Sequence, residues 1–181
     1  MRFRFLLAIA LVTFTVFGHS ATADALLLDG QKITVDYLWP DTSSLYKSYG
    51  LVTVGSTVEI PGDFGLLNVD LSDTNITFAF LASGYFNDPT AAFDGYHFED
   101  TYATIADFAP VTINAVTNMV GFAADRIIYD ADNIYVNFAG LSFDSSTVVS
   151  LDLAAVPEPA TLLLLGTGLV GLAGYRRKFR K

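Results

Sequence analysis

Cysteine is absent from the chain, so no disulfide, thiol nucleophile or Cys-ligated zinc or iron–sulfur centre can be built. Histidine is almost absent: His19 sits in an apolar leader, which leaves His97 alone in the body of the chain. Basic residues are scarce where it matters. Between Asp24 and Val156 only Lys32, Lys47 and Arg126 stand against eighteen acidic residues, a net charge of −15. The whole-chain value of −9 hides this because the other basic residues cluster at the two ends. A surface so acidic repels phosphate backbones and anionic membrane surfaces, which argues against nucleic acid as a partner. Helix signals are also thin. The middle has no heptads and no internal repeat, and its acids are nearly all Asp, which suits turns and disfavours helix interiors.

What is present begins with two processed-looking ends. Arg2 and Arg4 precede an apolar run of about 13 residues, Phe5 to Phe17, followed by the polar stretch Gly18 to Ala25. The run is short for a membrane span, which needs roughly 20 residues. Ala21-Thr22-Ala23 fits a small-x-small cleavage site, with Ala23-Asp24-Ala25 as the alternative. Residues 1–23 therefore read as a secretory signal peptide cut after Ala23 by signal peptidase, once the secretion translocon has engaged it. At the other end, Val156-Pro157-Glu158-Pro159 leads into an uncharged run, Ala160 to Tyr175, and a basic stop of Arg176, Arg177, Lys178, Arg180 and Lys181. A helix over 160–175 would reach roughly 24 Å, slightly less than a hydrocarbon core of about 30 Å. Bilayer thinning and snorkelling absorb that mismatch, and the basic tail 176–181 stays cytoplasmic by the positive-inside bias. With the signal peptide removed, the middle lies outside the membrane and the tail inside. Pro157 and Pro159 favour extended backbone around Glu158, an accessible presentation for a protease.

The middle, residues 24–155, alternates. Ile33, Val35 and Tyr37 share one face; so do Ile76, Phe78 and Phe80; Ile134, Val136 and Phe138; and Val149, Leu151 and Leu153. Val52 and Val54 lead to Val58 and Ile60 across a Gly55-Ser56 break. A period of two predicts half-buried strands. Asp29-Gly30, Pro61-Gly62-Asp63, Asp130 to Asn133 and Asp144-Ser145-Ser146 supply turn chemistry, and Asp88 to Ala92 is a candidate single helical turn. The expected fold is all-β, an antiparallel β-sandwich or jelly roll, flanked by the signal peptide and a single C-terminal membrane helix.

The ordered series Pro-Glu-Pro, apolar run and basic cluster resembles the PEP-CTERM sorting signal of Gram-negative bacteria. The match is carried by Val156 to Thr161, the Leu162–Leu165 run, Gly166, Gly168, Gly171 and Arg176-Arg177-Lys178. The resemblance implies recognition by exosortase, cleavage near Pro157–Pro159, and release or transfer to the cell surface, usually in bacteria making exopolysaccharide. The stretches Gly30 to Tyr37 and Asp132 to Asp144 are similar to a β-rich ectodomain common among such proteins, which carries no site residues across.

Candidate chemistry in the middle competes with ordinary structure. Gly166 to Gly171 spells G-x-G-x-x-G but lacks the strand before it and the acid about 20 residues after it that a dinucleotide site needs. Close helix packing explains those glycines better. His97 has no Gly-x-Ser-x-Gly elbow to serve and reads as a strand histidine. Glu59 and Glu99 are a nominal glycosidase pair among many carboxylates. Asp130, Asp132 and Asn133 offer oxygen ligands for calcium, against the plainer reading of a polar hairpin turn. Tyr37, Trp39, Tyr46, Tyr49, Tyr85 and Phe86 would suit a sugar-stacking platform, against core packing. Asn75-Ile76-Thr77 matches a glycosylation acceptor but is uninformative in a bacterial setting.

The leading expectation is a non-catalytic, exported surface or matrix protein, without a catalytic residue or required cofactor, associated with extracellular polysaccharide. A carbohydrate-binding module, with or without calcium, is the alternative, and a secreted hydrolase the last choice. Intact-mass measurement of the mature protein should show an N-terminus at Asp24 and loss of everything beyond the Pro157–Pro159 region. A mass that retains residues 160–181 contradicts the sorting reading.

Overall fold

A computed structural model describes residues 28–86, 90–105 and 107–155; the expected signal peptide, the Pro-Glu-Pro motif, the 160–175 helix and the basic tail lie outside the described residues. The described chain is all-β. Its strands are β1 (Lys32–Leu38), β2 (Leu45–Thr53), β3 (Ile60–Asp63), β4 (Leu67–Ser72), β5 (Asn75–Phe80), β6 (Gly84–Tyr85), β7 (Gly95–Glu99), β8 (Phe108–Ile113), β9 (Ile127–Tyr129), β10 (Asn133–Asn137), β11 (Ser142–Phe143) and β12 (Val148–Ala155). They form two five-stranded sheets, ordered β2-β1-β7-β10-β9 and β3-β4-β5-β12-β8, and a small β11-β6 pair. The recorded pairings are antiparallel.

Alternation builds both sheets. Ile33 and Val35 on β1, Ile134 and Val136 on β10, Leu67, Val69 and Leu71 on β4, Ile76 and Phe78 on β5, and Val149 and Leu151 on β12 are essentially sealed from solvent. Their strand neighbours point outward because successive side chains take opposite faces. The two inner faces meet in one aromatic-rich core. Phe78 of β5 lies 5.3 Å from the Tyr96 ring and 6.1 Å from the Phe98 ring, both on β7, and 5.1 Å from Phe138 just past β10. Burying each such ring contributes roughly 1.5–3 kcal/mol.

The domain has two distinct ends. Leu28 N–H donates to Asp73 O (3.0 Å) and Leu153 N–H to Thr74 O (2.8 Å), so both described chain ends gather at the β4–β5 turn. At the opposite end Phe80 N–H donates to Thr147 O (3.1 Å), extending the β5–β12 pairing, and Phe138 N–H to Asp94 O (2.8 Å), extending the β7–β10 pairing; the chain crosses between sheets at both ends.

Two local expectations change. Pro61-Gly62-Asp63 is not a surface turn but most of β3. Ile60 pairs with Val69 and Asp63 with Leu67, three steps against two, so β3 carries one extra residue. Gly62 absorbs it at φ +61°, a conformation open to glycine. The bulge brings Asp63 inward, and the turn follows at Phe64-Gly65. In the second case Asp88 lies outside the described residues and Thr90 to Ala92 are not helical; among the described residues the helical piece is a 3-10 turn at Ala124–Arg126.

Gly95 opens β7 where a Cβ would stand 1.9 Å from Val136 O on the neighbouring β10 backbone. A backbone oxygen in a central sheet cannot yield as a side chain can. Gly95→Ala should therefore cost about 3 kcal/mol, read as a lower urea midpoint at unchanged slope; an unaltered midpoint contradicts this packing.

Candidate functional site

The extra residue in β3 turns a carboxylate into the interior. Asp63 has a fully enclosed side chain, at 0% exposure. Burying a charge is costly unless it is paired and hydrogen-bonded, and Asp63 is both. Lys47 of β2 reaches Oδ1 at 2.7 Å, and the hydroxyls of Tyr49 and Tyr96 both donate to Oδ2. All three donors come from the other sheet, so one acid ties the two layers together. Nearby, the Tyr37 hydroxyl donates to Asp94 Oδ1. Burial, then the neighbouring negative charges, holds the Tyr37, Tyr49 and Tyr96 hydroxyls well above the usual phenol range.

Above this polar floor lies a cleft of ≈ 490 Å³ at the end opposite the β4–β5 turn, walled by Tyr37, Trp39, Tyr46, Phe64, Tyr85 and Phe86, with Asp94 in its lining. The rings are braced against one another. Tyr37 meets Phe64 edge-on at 5.2 Å, and Trp39, which precedes a cis bond to Pro40, meets Tyr46 edge-on at 6.1 Å. Even so, Trp39, Tyr46, Phe64 and Tyr85 stay 38–60% exposed. Phe64 takes φ +49°, a left-handed conformation that bulky residues rarely adopt. Its ring also lies 4.7 Å from Lys47 Nζ.

Of the aromatics expected to form a platform, Tyr37, Trp39, Tyr46, Tyr85 and Phe86 converge here. Tyr49 does not: it lines a neighbouring hollow of ≈ 310 Å³ with Lys47 and Asp63. Sequence reasoning missed Phe64, Asp94 and Asp63. A bulky ring between Gly62 and Gly65 in an otherwise polar turn was the available signal.

The other candidates are occupied with structure. Both Glu59 oxygens accept backbone N–H groups, from Gly55 at 2.9 Å and Leu71 at 2.7 Å. Glu59 precedes β3 in one sheet, whereas Glu99 ends β7 in the other. His97 stacks on Tyr135 at 4.2 Å and its Nε2 lies 2.9 Å from Asn133 Oδ1. Asp130 Oδ1 accepts from Asp132 N, Asn133 N and Asn133 Nδ2 at 2.9–3.0 Å, the pattern of a self-bonded turn. Among the described residues no three His, Cys, Asp or Glu side chains cluster as metal ligands.

The fold and its exit define a class: a β-rich domain whose last strand runs directly into a C-terminal sorting segment. The family model described as the PEP-CTERM protein-sorting motif matches residues 155–178, so the chain carries that sorting motif. No curated protein and no solved structure matches the chain.

Removing the Asp63 carboxylate leaves the Tyr49 and Tyr96 hydroxyls without their acceptor, whereas removing Lys47 leaves the acid held by both phenols but without its cation. Asp63 is not exposed, so Lys47→Met strands a buried carboxylate and should cost about 3–5 kcal/mol, while Asp63→Ala strands two phenol donors at about 1–3 kcal/mol each, both read in urea unfolding; a loss under about 1 kcal/mol in either variant would refute the clasp.

Proposed function

We propose that this is an exported, exosortase-sorted protein of the cell surface or extracellular matrix that works without catalysis and associates with exopolysaccharide. The match of residues 155–178 to the sorting motif carries the reading. That motif implies export, processing by exosortase and surface sorting. The finer picture is ours: a signal peptide over 1–23, a β-sandwich ectodomain over 24–155, and a transient inner-membrane helix over 160–175. Several observations favour a non-catalytic ectodomain. Glu59 is saturated by backbone donors, His97 is stacked and bonded within its sheet, and Asp63 is enclosed. The proposed domain needs no cofactor.

A second reading, a carbohydrate-binding module, is favoured by the aromatic cleft. It is compatible with the first, because binding matrix glycan is one way for a surface protein to associate with exopolysaccharide.

Deleting Pro157–Lys181 tests the sorting reading. The truncated protein should be exported but shed, with at least tenfold less of it on washed cells. Unchanged surface retention overturns the proposal.

A further inference from the structure

We propose that the aromatic cleft is a binding site for a neutral glycan chain and that it opens on the end of the domain opposite to the sorting segment. This deepens the surface-protein reading above and rests on it only for the orientation.

The chemistry of the occupant follows from the walls. A pyranose ring presents apolar C–H faces and a rim of hydroxyls. Flat aromatic faces take the first and fixed polar groups the second. Trp39, Tyr46, Phe64 and Tyr85 offer exposed rings, while the Asp94 carboxylate and the Tyr37 side chain lie in the same lining. The volume of ≈ 490 Å³ falls in the range of small-ligand sites. Among the described residues no Lys or Arg lines the cleft, and the surrounding domain carries −15 between Asp24 and Val156, so a polyanion would be repelled. A neutral sugar fits both the rings and the charge. Phe64 adds an independent observation. Its φ of +49° suits Asn or Gly better than an aromatic residue, and the strained backbone holds an exposed ring at the cleft wall.

The orientation follows from chain geometry. β12 stays paired as far as Ala155, opposite Phe108, and the sorting motif begins at that residue. Pro157 is two residues on, a reach of at most ~7 Å. Whatever holds the sorting segment therefore holds the Ala155 end of the domain close by. The cleft belongs to the other end, with Phe80 and Val148, ~24 Å away along β12 at ~3.4 Å per residue. Bound glycan would thus lie on the side facing away from the attachment point.

Trp39 is the chain's single tryptophan, so its emission reports on the cleft directly. Mature protein should be titrated with cellohexaose, laminarihexaose and xylohexaose, and with a hexagalacturonate as the anionic probe. At least one neutral hexamer should shift or quench Trp39 emission saturably, and the hexagalacturonate should not. Calorimetry should show affinity falling at least tenfold in Trp39→Ala, Tyr46→Ala and Phe64→Asn, the last relieving backbone strain rather than adding it. Tyr129→Ala, on the exposed edge strand β9, should bind as the parent does. Absence of binding by every neutral hexamer, stronger binding of the anion, equal loss in Tyr129→Ala, or a concentration-dependent dimer that alone shifts the Trp39 signal each overturns the site. For orientation, the cysteine-free chain allows single labels at Ser83→Cys beside the cleft and Ser56→Cys near the terminal end. On intact cells a bulky maleimide should modify the first at least threefold faster, and equal rates overturn the orientation. A failure of glycan binding leaves sorting intact, whereas loss of surface retention is read separately by the 157–181 deletion.

Discussion

Everything at the cleft end of this domain depends on one buried carboxylate. Asp63 belongs to β3, at the edge of one sheet, yet each group that satisfies it comes from the other: Lys47 and Tyr49 on β2, and Tyr96 on β7. A lone charge in that position would cost far more than a domain this size can spare. Three donors convert the cost into a directional tie between layers. Hydrophobic contact alone lets two sheets slide; an acid that must meet two phenols and an ammonium fixes where they meet.

The tie also sets the cleft floor. Tyr96, bonded to Asp63, holds Tyr37 edge-on at 5.0 Å, and Tyr37 in turn donates to Asp94. Phe64 follows Asp63 directly in the chain, so the bulge that buries the acid also lifts the next ring to the surface. A strained aromatic beside a buried charge is thus one local event with two products, an interlayer clasp and an exposed ring. Chain direction does the rest. Both described ends leave from the β4–β5 turn, and the cleft lies at the far end, where the β1–β2 and β3–β4 hairpins close.

The legible parts of this molecule were those governed by local period. Ile33-Val35-Tyr37, Ile76-Phe78-Phe80, Ile134-Val136 and Val149-Leu151-Leu153 all bury as their alternation predicted. The all-β class followed from them, as did the sorting segment from its ordered parts. β4 passed unnoticed although Leu67, Val69 and Leu71 alternate, because Asp-rich flanks masked the run. The Pro61-Gly62-Asp63 stretch misled for a physical reason. Pro-Gly-Asp is turn chemistry by composition, and only the pairing partner on β4 reveals a bulged strand instead. The platform aromatics were legible as types. That five of them converge, that Tyr49 turns away, and that Phe64 joins are outcomes of register and crossover, which leave no local mark. Asp63 and Asp94 were invisible among eighteen similar acids for the same reason.

The acidic composition itself reads differently once the acids are placed. Many are spent on backbone rather than arrayed for a ligand. Asp41, Asp130 and Asp144 each accept from serine or asparagine side chains and from backbone N–H groups in their own turns. Those bonds, the side-chain ones foremost, hold all three below the usual carboxylate range. Asp63 is internal, and Glu59 caps backbone donors. The charge is therefore largely a by-product of building many tight turns without helices or cysteine. It still has a consequence. Summed over the surface, it disfavours polyanions at a cleft whose described lining holds no cation, so the turn chemistry that shapes the domain also bears on what the domain can bind.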